Sequence, residues 1–99
     1  MYVLRIEHSV PNYEGWKRAF DSDPLGRKKS GVRRYRVLRT VDNPNYVMID
    51  LEFDTNEQAE SMLSALCSMW ERVEGTAMSD PKTRILEQLE ETTLYTAPT

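Results

Sequence analysis

Apolar and polar residues along this chain fall into two periods, and each period names an element. Tyr46 to Phe53 sets Val47, Ile49, Leu51 and Phe53 against Tyr46, Met48, Asp50 and Glu52, the alternation of a strand with one face in a core. Tyr2 to Val10 repeats it, with Leu4, Ile6, His8 and Val10 opposing Val3, Arg5, Glu7 and Ser9. Tyr13, Trp16, Lys17 and Phe20 then fall at helical spacing, after Asn12 as N-cap and before Pro24 as a stop. A second helix starts at Asp54-Thr55-Asn56-Glu57. Its stripe is Ala59, Met62, Leu63, Leu66 and Trp70, and Gly75 ends it. Ser79-Asp80-Pro81 reads as a loop and Lys82 to Thr92 as a last strand in which Ile85 and Leu89 alternate. Thr93 to Thr99 has no period and is a tail.

The hairpin Val32 to Phe53 specifies its own register. A turn over Val41-Asp42-Asn43-Pro44-Asn45 pairs Thr40 with Tyr46, which sets Tyr35 opposite Leu51 and Val37 opposite Ile49. The same pairing brings Arg36 to Asp50 and Arg34 to Glu52, each opposite-charge pair contributing roughly 0.2–1 kcal/mol. A slip by one residue would bury two guanidinium groups without carboxylates.

The order is strand, helix, strand, strand, helix, strand. It predicts an α+β, ferredoxin-like βαββαβ plait over residues 1–92, with an antiparallel four-stranded sheet and both helices on one face. The other face carries Val3, Arg5, Glu7, Arg34, Arg36, Leu38, Met48, Asp50, Glu52 and Leu86. That set is too mixed for a solvent face and too charged for a dry core. Packing it on a second copy covers the apolar members and pairs the charges, so a homodimer through the helix-free face is expected.

Composition narrows the classes. Ninety-nine residues make one domain. No apolar run approaches the roughly 18–20 residues that span a bilayer, and Met1 leads straight into a strand without a signal-peptide pattern. The single cysteine, Cys67, suits a reducing cytoplasm, and its helical context predicts a packed, inert thiol. The basic run Arg27, Lys28, Lys29, Arg33, Arg34, Arg36 and Arg39 invites a nucleic-acid reading. Two of those arginines are already committed to carboxylates, and an RNA-recognition sheet would show aromatics where this one shows Asp50 and Glu52. One His and one Cys far apart give no metal-ligand spacing, and no nucleophile elbow supports a hydrolytic triad.

Beyond its periods, the chain resembles the dimeric α/β-barrel superfamily that includes antibiotic biosynthesis monooxygenase-like domains. The resemblance runs from the first strand through Glu91. It is carried by Glu7-His8-Ser9-Val10, Asn12-Tyr13, Trp16-Lys17, Phe20-Asp21, Gly31-Val32, Arg39 with Asp42-Asn43-Pro44-Asn45, and Leu51-Glu52-Phe53. It implies a cavity between helices and sheet that binds a small aromatic or polyketide-like molecule. His8, Tyr13, Trp16, Tyr35, Arg39, Met62, Leu66 and Trp70 could line it. Haem-degrading members of the group add a His ligand that no residue after Asp80 supplies here, so no cofactor is expected.

His8, the only histidine, shares a face with Leu4 and Ile6. It is either a hydrogen-bonded histidine at the core edge, a ligand contact, or an acid or base moving a proton on a phenol. Trp16, Trp70 and Tyr13 fit a core stripe as well as a ligand wall. Two function classes stand: a small cofactor-independent monooxygenase-like enzyme with His8 as base, or a non-catalytic ligand-binding or structural dimeric domain.

Overall fold

A computed structural model describes residues 1–73 and 79–95. Its elements are β1 (Tyr2–Ser9), α1 (Tyr13–Asp21), β2 (Arg34–Thr40), β3 (Asn43–Phe53), α2 (Asn56–Val73) and β4 (Ser79–Glu87). The strands form one antiparallel sheet in the order β2-β3-β1-β4. The fold is the expected ferredoxin-like plait.

Register explains where the core sits. The β1–β3 pairing lines Leu4 up with Leu51, Ile6 with Ile49 and His8 with Val47. These residues, with Phe53, form one apolar surface on which α1 lays Trp16 and α2 lays Ala59, Met62 and Trp70. Burying a side chain the size of Phe53 contributes about 1.5–3 kcal/mol. The helices start where their caps dictate. The Asn12 carboxamide accepts the Gly15 N–H at 2.8 Å, and Thr55 exchanges hydrogen bonds with Gln58 in a capping box, each at 3.2 Å.

The opposite face is a lattice of charge. One cross-strand row runs Arg34, Glu52, Val3, Leu86, and the next runs Arg36, Asp50, Arg5, Arg84. Arg34 holds both oxygens of Glu52 at 3.0 Å, and Arg36 bridges Glu52 at 2.9 Å to Asp50 at 3.4 Å. The two carboxylates are 2% exposed beneath these half-exposed guanidinium groups. Both are held below the usual carboxyl range, Asp50 chiefly by its hydrogen bonds from Arg5 and Glu52 by those from Arg34. Leu38, 45% exposed, is the large apolar group left open on this face.

Four expectations are corrected. The register holds from Arg34–Glu52 to Arg39–Val47, but Thr40 pairs with Asn43 rather than Tyr46. The chain turns at Val41-Asp42, and the surplus residues bulge out of β3, where the Asn43 side chain accepts the Asn45 N–H and Pro44 has no N–H to leave unpaired. Ser79-Asp80-Pro81 opens β4 instead of forming a loop, which an edge strand permits its proline. That strand stops at Glu87, leaving Leu89 exposed. Cys67 is exposed, because it sits one helical step, about 100°, past the buried stripe at Leu66. The expected stop at Gly75 lies outside the described residues, as does the end of the tail.

Candidate functional site

Between the two helices and the sheet lies a cavity of about 350 Å³, at the small end of the range for ligand pockets. Its floor is Ile6, His8, Ile49 and Leu51 from the sheet. Trp16, Ala19 and Phe20 of α1 form one wall, and Met62, Leu66, Met69 and Trp70 of α2 form the other. The segment after α1 supplies the rim, with Ser22, Asp23, Pro24, Leu25 and Arg27. That lining is largely apolar, so polar groups on it stand out.

His8 is one of them. Residue alternation on β1 aims it at the helices, and it is 2% exposed. Its Nδ1 lies 3.2 Å from the Ser9 carbonyl oxygen. A carbonyl oxygen only accepts, so Nδ1 carries the proton and Nε2 the lone pair. No described protein group partners Nε2, and no buried side-chain nitrogen or oxygen among the described residues lacks a partner. Nε2 is therefore the atom that His8 opens to the cavity. Burial pushes the imidazole pKa below its ordinary 6.5, against a smaller opposing effect of the Ser9 carbonyl, so the ring is neutral at pH 7.

An aromatic row runs along α1. His8 and Trp16 meet edge to face with centroids 5.9 Å apart, Trp16 stacks on Phe20 at 5.1 Å, and Phe20 and Tyr35 meet edge to face at 5.2 Å. Contacts of this kind are worth about 0.5–1.5 kcal/mol each beyond area burial. They fix the ring planes that a flat ligand would meet.

The rim is built by tight local bonding. Asp23 takes a left-handed backbone, φ 51°, and its carboxylate accepts the Arg27 N–H at 2.9 Å. Gly26 also has positive φ, 62°. The Arg27 guanidinium then folds back over the Phe20 ring at 4.0 Å and the Tyr35 ring at 4.9 Å, donating from Nη1 to the Phe20 carbonyl at 2.8 Å.

Of the residues expected to line a cavity, the structure gathers His8, Trp16, Met62, Leu66 and Trp70 around it and leaves three aside. Tyr35 does point to the helix side, but β2 is an edge strand that the helices do not fully cover, so its ring packs outside Phe20. Tyr13 packs behind Trp16, and Arg39 lies over Tyr13 at 5.1 Å rather than in the cavity. None of the rim residues is among those expected from the sequence to line a cavity. The available signal was Leu25, a lone apolar residue among polar ones, with Asp23 four residues before Arg27. No group of His, Cys, Asp and Glu among the described residues could hold a metal ion. No described helix is long and apolar enough to cross a membrane.

Neither the protein-family models nor the curated proteins match this chain. Solved structures do. A provisionally assigned antibiotic biosynthesis monooxygenase from Nitrosomonas europaea is 20% identical, with a TM-score of 0.67 over 91% of this chain and all of that one. SnoaB, a cofactor-independent oxygenase from Streptomyces nogalater, is 11% identical, with a TM-score of 0.71 over 91% of this chain and 94% of its own. A dimeric ferredoxin-like protein from an uncultured marine organism is 12% identical, with a TM-score of 0.64 over 92% and 97%. At these identities the likeness is one of fold, and the chain adopts the ferredoxin-like plait shared by structures of the antibiotic biosynthesis monooxygenase-like dimeric α/β-barrel superfamily.

Proposed function

We propose that this protein is a small cofactor-independent oxygenase whose cavity takes an aromatic or polyketide-like molecule, with His8 as its base. The observation that carries this reading is a histidine whose Nδ1 faces the Ser9 carbonyl, leaving Nε2 for an apolar cavity walled by aromatic rings. Such a base takes a proton from a phenol or an activated ring methylene. The anion left behind is electron-rich enough to reduce dioxygen without a cofactor. One oxygen atom ends as a carbonyl on the oxidised ring carbon, and the other leaves as water with two substrate hydrogens, both from that carbon in a methylene, or one from it and one from the hydroxyl in a phenol. Trp70 and Trp16 hold the ring flat against the sheet while the apolar wall keeps bulk water from the anion.

A second copy covers the helix-free face in this reading. Leu38 and the half-exposed guanidinium groups of Arg5, Arg34 and Arg36 support it, as does the dimeric state named for the marine structure of the same fold. Light scattering at micromolar protein tests this, with a monomer as the contrary result. A cytoplasmic location belongs to the same proposal.

Oxygen uptake with a panel of dihydroxyaromatic substrates tests the chemistry. Wild type should consume oxygen and His8→Ala should lose about 100-fold or more, the low end of general-base effects. Equal rates remove the base. Ligand binding without uptake by either protein favours a non-catalytic binding domain, a reading that the scarcity of acid-base groups on the cavity wall also suits.

A further inference from the structure

The Arg27 rim separates two different spaces. On one side is the apolar cavity. On the other a wide groove of about 690 Å³ runs over Lys28, Arg33, Arg34 and Tyr35, and Asp23 and Arg27 line both. Arg27 is the cation on the cavity wall, and its side chain is only 17% exposed.

We propose that Arg27 is a specificity residue, selecting ligands that carry an anionic group, a carboxylate, sulfonate or phosphate, at the end of an aromatic body lodged in the cavity. This rests on the cavity being the ligand site, and it names the chemistry at the ligand's other end. The geometry prepares the guanidinium for that task. Phe20 and Tyr35 hold its plane, and one side-chain hydrogen bond, to the Phe20 carbonyl, fixes its tilt. The Asp23 carboxylate lies 3.6 Å from Nε but is already engaged by the Arg27 backbone N–H, so it balances the charge without saturating the donors. An arginine has five N–H donors, and most of these have no acceptor among the described residues. Poor hydration of the site makes a charge-assisted bond to an anion stronger than on an open surface. In the groove beyond, Arg33 is paired with Asp54 and Arg34 with Glu52, while Lys28 is exposed. With Arg27, Arg33 and Arg34 each set beside a carboxylate, Lys28 is the charge the groove adds beyond Arg27, and it suits the solvated side of the anion.

Two fluorescent probes with one ring skeleton test this on the full chain: anilinonaphthalene sulfonate, and its uncharged parent phenylnaphthylamine. Wild type should prefer the sulfonate, and Arg27→Gln should weaken it about tenfold or more while changing the uncharged probe by less than about twofold. In wild type alone, added salt should weaken the sulfonate and leave the amine unchanged. This second measurement decides the matter even if Arg27→Gln unfolds. Equal affinity of wild type for the two probes, a matched loss of both in Arg27→Gln, or salt-independent sulfonate binding overturns the proposal. Sulfonate preference without oxygen uptake on any substrate would sink the oxygenase reading and leave this one standing. Oxygen uptake without anion preference would do the reverse.

Discussion

Arg5 grips Asp50 through both carboxylate oxygens, Nε to Oδ1 at 2.9 Å and Nη2 to Oδ2 at 3.0 Å, from one paired strand to the next. With Glu52 beside it, Asp50 turns one face of the sheet into an ion network whose anions are sealed and whose cations stay half in water.

That asymmetry sets the cost of breaking it. Asp50→Asn should destabilise the fold by about 1.5–3 kcal/mol, the value of hydrogen bonds to a charged group, because the half-exposed arginines recover hydration when released. Urea unfolding at pH 7 measures it. Both carboxyls sit below their ordinary values of 3.8 and 4.5 in the folded chain. Their stabilisation is therefore complete above those values and drains away as pH falls through the lower folded ones. Asp50→Asn should flatten that acid limb, and an unchanged limb would show that the acid sensitivity lies elsewhere.

His8 works with the opposite charge but the same sign of pH dependence. Its folded pKa lies below the ordinary 6.5, so the unfolded chain binds the proton more readily. Its contribution is whole above 6.5 and falls as the solution is acidified toward the folded value. Imidazole NMR should give a pKa under 6.5 and a proton on Nδ1. A value at or above 6.5 would mean that the ring is solvated and no buried base exists.

Filling the cavity separates binding from folding. Leu66→Trp places a large ring into the void from α2, where it meets space rather than packed atoms, so stability should change by about 1 kcal/mol or less. Probe binding should fall more than about tenfold, since about 1.4 kcal/mol of lost contact already gives that factor. Retained binding at wild-type strength would place the ligand outside this cavity.

Gly31 tests how the rim segment is tied to α2. Its φ is +97°, and an added Cβ would lie 2.7 Å from Gln58 Nε2. Gly31→Ala strains the backbone and pushes aside the residue that caps the helix through Thr55. A loss of about 1–3 kcal/mol in thermal or urea unfolding is expected. A neutral substitution would show that Gln58 moves freely and contributes little as a cap.

Several of these relationships were legible before any coordinates. Arg34 with Glu52 and Arg36 with Asp50 followed from alternation and opposite charge, because in a strand pair a single register satisfies both patterns at once. Asn12 announced one helix and the run Asp54-Thr55 the other, where the structure makes Thr55 the cap, since capping is a local event that four residues complete. The bulge after Thr40 was not legible. Turn chemistry named the stretch but not the number of residues it leaves unpaired.

The chain alone thus determined which side of each strand is greasy, where each helix begins, and that His8 faces inward, for these depend on spacings of two to four residues. Tertiary structure alone decided that Tyr35, Tyr13 and Arg39 stand outside the cavity and that Arg27 lies on its rim. Position across the sheet and the folding-back of a loop depend on contacts between residues distant in sequence, and no local period encodes those.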